Sequence, residues 1–375
     1  MKIAVNTRLL IPGRLDGIGR FADETLRILT ARHPEHRFYF YFDRKYDDSF
    51  IYQSNITPVT LFPQARHPFL FLAWFEASLP LHFARIKPDI FLSPDGFVSL
   101  SSNIKTVAVI HDLNFEHFPE DIPFLVRKYY TGMFPRFAHK AARIATVSEY
   151  SKSDITKLYQ VNPAKIDVVY NGAGDIFKPL TLIKQQQTRD KFSQGRDYFF
   201  FIGTLHPRKN LVNLFKAFDQ FKNTEARGIK LLIAGARMWW TDEIRLAYEG
   251  MHYRDDVIFT GRVSDAELAS LMASALALTY VSYFEGFGIP ILEAFHCDTP
   301  VITSNLTSMP EVAGNAAILI DPFSVSSISE AMQKVASDIV FRQSLILAGR
   351  EQRQKFSWEL TAGKLWDCIE KAVTG

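Results

Sequence analysis

Short apolar runs rich in β-branched and aromatic residues alternate with longer stretches of helical period along almost the whole chain, and this alternation stops once and then restarts. A strand apolar on both faces, then a helix, then another such strand, folds as a parallel sheet covered by helices. The first series runs through KIAVN (2–6), a helical stretch at 17–32, FYFYF (38–42), DIFLS (89–93), KTVAVIHD (105–112), a helical stretch at 124–142, RIATVS (143–148), another at 149–159, and IDVVYNG (166–172). At 178–197 the stretch KPLTLIKQQQTRDKFSQGRD is polar, carries no sustained β run and reads as a linker. The second series is YFFFIG (198–203), a helix from Asn210, KLLIAG (230–235), a helix from Asp242, VIFTG (257–261), a helix from Asp265, ALALTYVS (275–282), a helix from Gly288, and TPVITS (299–304). Leu360, Leu365, Trp366, Ile369 and Val373 then recur at helical spacing, which predicts a terminal amphipathic helix. The expectation is an α/β chain of two Rossmann-like, doubly wound units.

Size and composition agree with that reading. At 375 residues the chain exceeds what one core usually organises, and 47% hydrophobic with 22% charged residues excludes disorder. The 32 phenylalanines fall largely inside strand-like runs, so most are expected in the cores. Two cysteines, Cys297 and Cys368, lie in helical segments without metal-type spacing, which argues against a disulfide framework or a zinc site and for a reducing cytoplasm. MKIAVNTRLL lacks a leader's apolar core and cleavage site and reads as a first strand. The most apolar stretch, HPFLFLAWFEASLPLHF, is interrupted by Glu76 and Pro80 and is not expected to span a bilayer. A net charge of +3 does not announce nucleic acid, and no nucleic-acid partner is expected.

In open α/β sheets, ligands bind beyond the carboxyl ends of strands, where helix N-termini present unpaired amides. Four places meet that condition. Gly17 and Gly19 follow the first strand and open a long helix, so the backbone there can approach a phosphate; a plain turn is the competing reading. Gly203 ends a strand, and Arg208 and Lys209 arrive just before the next helix, which suits a diphosphate. In SYFEGFGIPILEAF, Gly286 and Gly288 free backbone amides, Glu285 lies in the loop and Glu293 sits two turns into a helix among Ile291, Leu292, Ala294 and Phe295. Two carboxylates so spaced reach different hydroxyls of one extended ligand. His111, with Asp112, ends a strand of the first series and can hydrogen-bond a substrate or merely terminate the strand.

With these residues assembled, the chain resembles the large retaining glycosyltransferase family of GT-B fold known as family 4. The resemblance runs nearly end to end, through DGIGRF (16–21), VIHDLNFEHFPE (109–120), ATVSEYSKSDI (145–155), VVYNGAG (168–174), GTLHPRKNL (203–211), TGRVSDAEL (260–268), FEGFGIPILEA (284–294) and TSMPEVAGNAAILIDP (307–322). It implies two Rossmann-like domains facing each other across a cleft: an acceptor-binding domain at 1–177, completed by the terminal helix 357–375, and a nucleotide-sugar-binding domain at 178–356. It further implies that Gly17 and Ile18 offer amides to the donor phosphate and that Arg208 and Lys209 neutralise it. Glu285, with the amides of Phe287 and Gly288, holds the transferred sugar, Glu293 the ribose and Val263 the base, while His111 lines the reaction centre. Neither cofactor nor metal is implied. Thr204 stands where many members carry arginine, leaving more of the phosphate charge to Arg208 and Lys209, and Tyr170 stands where proline is more usual.

The reaction expected from this resemblance is transfer of a hexose, with mannose from GDP-mannose as the leading candidate, to a glycan or lipid-linked acceptor in cell-surface polysaccharide synthesis. Two rivals remain at this point. A dinucleotide-dependent oxidoreductase would need a complete GxGxxG, and Ala22 stands at its third glycine. A non-catalytic nucleotide-sugar-binding protein would be indicated by loss of the phosphate residues, and these are present. Last, Phe69, Phe71, Leu72, Trp74 and Phe75, with Arg127, Lys128, Arg136, Lys140 and Arg143, raise a peripheral contact with the inner face of the plasma membrane; the competing reading is core aromatics and a solvated basic face.

Overall fold

The computed structural model describes residues 1–225, 227–236 and 240–375. Its chain divides into two compact units, Met1–Gly172 with Ser357–Gly375, and Ala173–Phe356.

Seven parallel strands build the first unit: β1 (Lys2–Asn6), β2 (Arg37–Phe42), β3 (Ile56–Thr60), β4 (Ile90–Ser93), β5 (Thr106–Val109), β6 (Arg143–Thr146) and β7 (Ile166–Val168), in the order β3-β2-β1-β4-β5-β6-β7. Val5 stands in register with Phe40 on one side and Leu92 on the other. All three side chains are fully buried, which is why these runs are apolar throughout rather than alternating. The strand β3 was not among the sequence expectations, because ITPVT carries a proline and buries only Ile56, its other side chains being half-buried, as in an edge strand. The terminal helix Trp358–Thr374 belongs to this unit, burying Trp358, Leu365, Trp366 and Ile369.

The second unit repeats the plan with β8 (Tyr198–Ile202), β9 (Lys230–Ala234), β10 (Val257–Gly261), β11 (Ala277–Tyr280), β12 (Val301–Ser304) and β13 (Ala317–Ile320), ordered β10-β9-β8-β11-β12-β13. In both sheets the first strand lies between two neighbours reached by crossovers in opposite directions. The order reverses between β1 and β4, and again between β8 and β11. Loops leaving the carboxyl ends of such a pair part to opposite faces and leave a crevice, the usual place for a ligand in this architecture.

Two sequence expectations need correction. The polar stretch at 178–197 contains a helix, Leu182–Ser193, started by the Thr181 side chain accepting from Lys184 N. It docks on the helix Asp265–Ser274 through Gln185 Nε2 to Ala273 O (3.0 Å) and Arg189 Nε to Ser274 O (3.2 Å). Polar side chains make those contacts, so no apolar period announced them. The two compact units divide at Gly172/Ala173 and at Phe356/Ser357. Second, the expected interruption does not break the helix: Pro68–Ile86 is one continuous helical stretch of 19 residues, and its Trp74, Phe75 and Leu79 are fully buried in the first unit's core. Glu76 does not interrupt it. Its carboxylate accepts from Leu100 N and Ser101 N, both at 2.8 Å, and a π-helical turn at Trp74–Ser78 absorbs the irregularity.

Candidate functional site

Gly203, Arg208, Lys209 and Glu285 meet at the reversal between β8 and β11. The chain leaves β8 at Gly203 and forms a short 3-10 turn at Pro207–Lys209, capped by His206. It then enters the helix Leu211–Lys222 through Asn210, which adopts φ 62° and donates from Nδ2 to Val281 O (3.0 Å) and Pro322 O (2.7 Å). Those two bonds tie the basic turn to the loops after β11 and β13. The helix therefore begins one residue later than expected, with Asn210 as its cap. Gly235, which ends β9, passes so close that a Cβ there would lie 1.8 Å from Gly203 O. The turn at 203–209 is thus set by backbone contact.

On the other side of the reversal the chain leaves β11 and carries Glu285 back toward the turn. Arg208 Nη1 donates to Glu285 Oε2 at 2.7 Å and to Phe284 O at 3.1 Å, and Lys209 Nζ donates to Glu285 Oε1 at 2.5 Å and Tyr280 Oη at 2.9 Å. Lys209 and Glu285 are each 7% exposed. Burial pushes the Glu285 carboxyl up, but the adjacent Arg208 and Lys209 charges outweigh it and hold the group at about 2. Burial and the neighbouring Glu285 raise the Tyr280 phenol, so its proton stays on. One carboxylate is thus held between two cationic side chains in a largely buried setting, with the Glu293 carboxylate close enough to act on the Tyr280 phenol. Cationic side chains placed in this way suit an anionic ligand.

Below Glu285 the loop reaches Gly288, whose φ of +103° caps the helix Ile289–His296. Ser308 Oγ donates to Glu285 O (2.9 Å) and Phe287 O (3.0 Å), and Glu285 N donates to Thr307 Oγ1 (3.3 Å). These bonds hold the backbone of Glu285, Gly286 and Phe287 in place. Glu293 is 5% exposed on that helix. Val263 lies half-buried just before Ser264, the cap of the helix Asp265–Ser274. Glu293 is close enough to help raise the Tyr280 phenol.

Tyr280, His206, Asn210, Thr307 and Ser308 were not singled out from sequence. Tyr280 looks like any aromatic in a buried strand, and its hydroxyl becomes informative only once Lys209 is opposite. Thr307 adopts φ 56°, rare for a β-branched residue, which no local sequence signal reveals.

The first unit's candidate residues lie at carboxyl ends of its own sheet. Asp16 caps the helix Gly17–Arg32 by accepting from Gly19 N at 2.8 Å. The two glycines of that turn differ. A Cβ at Gly19 would meet Leu9 O at 3.0 Å and Leu15 Cδ2 at 3.2 Å, whereas one at Gly17 would meet nothing within 4 Å. Gly19 is therefore needed for packing, while Gly17 borders open space and Ile18 is half-buried. His111, after β5, donates from Nε2 to Pro94 O at 2.8 Å and packs edge-on against Phe21 with centroids 5.0 Å apart. Burial lowers its pKa although the Pro94 carbonyl and nearby carboxylates oppose the shift, so the ring is neutral at pH 7 and Nδ1 carries the acceptor lone pair.

The basic and aromatic residues weighed for a membrane contact divide. Trp74 and Phe75 are fully buried and Phe71 nearly so, whereas Phe69 is 69% and Leu72 38% exposed. Arg143 is occupied by Asp167 at 2.7 Å.

Comparison with known proteins agrees with this geometry. The family model for Glycosyltransferase Family 4 matches residues 15–173, and that for Glycosyl transferases group 1 matches 183–352. The O-antigen chain mannosyltransferase B of Escherichia coli is 30% identical over 256 residues, covering 68% of this chain and 67% of that protein. The serotype-specific mannosyltransferase WbdA of Escherichia coli is 27% identical over 306 residues; the alignment covers 76% of this chain but spans only 37% of that longer protein. Among solved structures, Anabaena Alr3699/HepE in complex with UDP and glucose superposes with a TM-score of 0.78 at 15% identity, covering 99% of both chains. Its fold is thus shared, and the two doubly wound units are those of the GT-B glycosyltransferases. By sequence match across both units and by fold, the chain belongs to the family 4, group 1 glycosyltransferases.

Proposed function

We propose that the protein is a retaining, metal-independent hexosyltransferase that moves mannose from GDP-mannose to a glycan or lipid-linked acceptor in polysaccharide synthesis. The observation that carries this reading is the buried Arg208–Glu285–Lys209 cluster at the reversal of the second sheet, which sets two cationic side chains on one carboxylate. The mannosyl specificity rests on relatives that are O-antigen mannosyltransferases.

In this reading the donor's diphosphate lies against Arg208 and Lys209, while the Gly17 and Ile18 amides and the loop from Gly203 add backbone donors. Glu285, ionised throughout the physiological range, accepts hydrogen bonds from the sugar hydroxyls and is supported by the amides of Gly286, Phe287 and Gly288. Glu293 takes the ribose, and the backbone at Val263 the base. Departure breaks the bond between the anomeric carbon and the phosphate oxygen and places negative charge on the diphosphate, where the two cations stabilise it. The acceptor oxygen bonds to the same face, and its proton passes to the departing phosphate oxygen. No enzyme carboxylate becomes a nucleophile, in contrast to retaining glycosidases. The neutral His111, through Nδ1, orients a sugar hydroxyl.

Exposed apolar side chains on the first unit favour a lipid-borne acceptor. Phe62 is 70%, Phe69 69% and Leu81 71% exposed, and Phe124 (57%) carries Arg127 and Lys128 over its ring. We assign these residues to peripheral docking at the inner face of the plasma membrane, with the enzyme otherwise cytoplasmic.

The test is a panel of nucleotide sugars, with NAD as a control, scored by release of nucleoside diphosphate. Release of GDP from GDP-mannose, quickened by acceptor, is the expected result. Turnover with no member of the panel, or thermal protection by NAD alone, overturns the reading.

A further inference from the structure

At the opposite end of the first sheet from His111, two imidazoles and a carboxylate converge. His33 caps the end of the helix Gly17–Arg32, Pro34 and Glu35 turn the chain, and His36 directly precedes β2. Because every strand of this sheet is parallel, residues preceding β2 lie at the amino ends, away from the loops of the candidate site. Nothing in the sugar-transfer reading uses them.

Trp366 of the terminal helix forms the floor of this cluster. The His33 ring stacks on the indole with centroids 3.5 Å apart and planes 13° apart, and His36 lies at 5.2 Å and 18°. The two imidazoles are consequently almost parallel, 5° apart, with centroids separated by 6.0 Å. Glu35 Oε1 is 3.3 Å from His36 Nε2 and 3.7 Å from His33 Nδ1, and the three donor atoms all lie within 4.8 Å of one another. Around a tetrahedral zinc ion, with bonds of about 2.0–2.2 Å, neighbouring ligand atoms sit about 3.3 Å apart. Small rotations of these side chains bring all three donors onto one ion.

Other features favour the same use. Met1 N lies 3.1 Å from His36 Nδ1, on the ring nitrogen away from Glu35, so an ion at Nε2 takes the place of the proton that Nε2 otherwise donates to Glu35. The imidazole side chains are 21% and 17% exposed, whereas Glu35 is 60% exposed, so one side of the cluster is shielded by Trp366 and the other is open to a water ligand.

We propose that His33, Glu35 and His36 form a site for a divalent transition ion of the zinc class, with water completing a tetrahedral shell. The ion would join the helix-to-strand turn into one rigid unit resting on the terminal helix. This role is structural and separate from sugar transfer.

The experiment uses the full chain after treatment with chelator. Zinc chloride is titrated calorimetrically and cobalt chloride by visible absorption, with the wild type compared to Glu35→Gln and to the double variant His33→Ala, His36→Ala. The expected result is one ion per chain at micromolar zinc, intense cobalt bands of tetrahedral type, and a loss of affinity of more than about tenfold in Glu35→Gln. Glu35 is exposed, so that variant keeps the fold even if the double variant does not. Absence of zinc binding to the wild type, or equal affinity in wild type and Glu35→Gln, overturns the proposal and leaves an ion-pair and stacking cluster.

Discussion

Lys209 and Arg208 share the carboxylate of Glu285, and this arrangement determines what each substitution does. If Lys209 holds the donor phosphate as proposed, Lys209→Ala should lower affinity for free GDP by about 1.5–3 kcal/mol, measured by calorimetry. Unchanged GDP affinity would remove Lys209 from the site. Glu285→Gln should leave nucleotide affinity largely intact while lowering transfer, because the proposed role of this carboxylate is to hold the sugar. That variant should also be less stable at pH 7 by about 3 kcal/mol, since Lys209 and Arg208 stay buried without their counter-charge. The Glu285 carboxyl is held at about 2, well below the ordinary glutamate value, so its stabilising contribution is complete above the unfolded-state pKa and is lost as pH falls through about 2. The stability gap between wild type and Glu285→Gln, followed by urea denaturation, should therefore stay constant from about pH 8 to about pH 5 and narrow below about pH 4. A gap that widens on acidification would contradict the assigned ion pairs. Arg208, Lys209 and Glu285 were legible because charged residues beside glycines at a strand end have few other uses. Tyr280 and Thr307 were not, since their meaning depends on partners distant in the chain.

At the scale of elements, the strand-to-turn junctions carry the design. Gly235 and Gly203 pass so closely that Gly235→Ala would force β9 and β8 apart at their carboxyl ends, and a loss of about 3 kcal/mol in unfolding free energy is expected. Gly17→Ala meets open space, so its melting temperature should match wild type while donor affinity falls. If Gly17→Ala binds donor normally, the helix at Gly17–Arg32 has no part in donor binding. The same contrast explains which elements the sequence revealed. Central strands such as β1 and β8 are buried on both faces and announce themselves as apolar runs. The edge strand β3 and the helix Leu182–Ser193 are held by half-buried and polar contacts, so periodicity did not show them.

For the whole molecule, duplication of one doubly wound plan was readable from the interrupted alternation, because each half must bury its own sheet. The membrane question was not, since a run such as HPFLFLAWFEASLPLHF mixes buried Trp74 and Phe75 with exposed Phe69 and Leu81, and only packing separates them. Sedimentation with anionic vesicles should show binding that weakens at high salt and falls further in a Phe69→Ser, Leu81→Ser double variant. Equal sedimentation with and without vesicles would leave those side chains as ordinary surface. We propose that the transferase keeps the donor's anomeric configuration, and proton NMR of the first product formed from GDP-mannose, whose sugar is α-linked to phosphate, decides it. Retention gives an α-mannoside as that first product; a β-mannoside would show inversion and overturn the proposal.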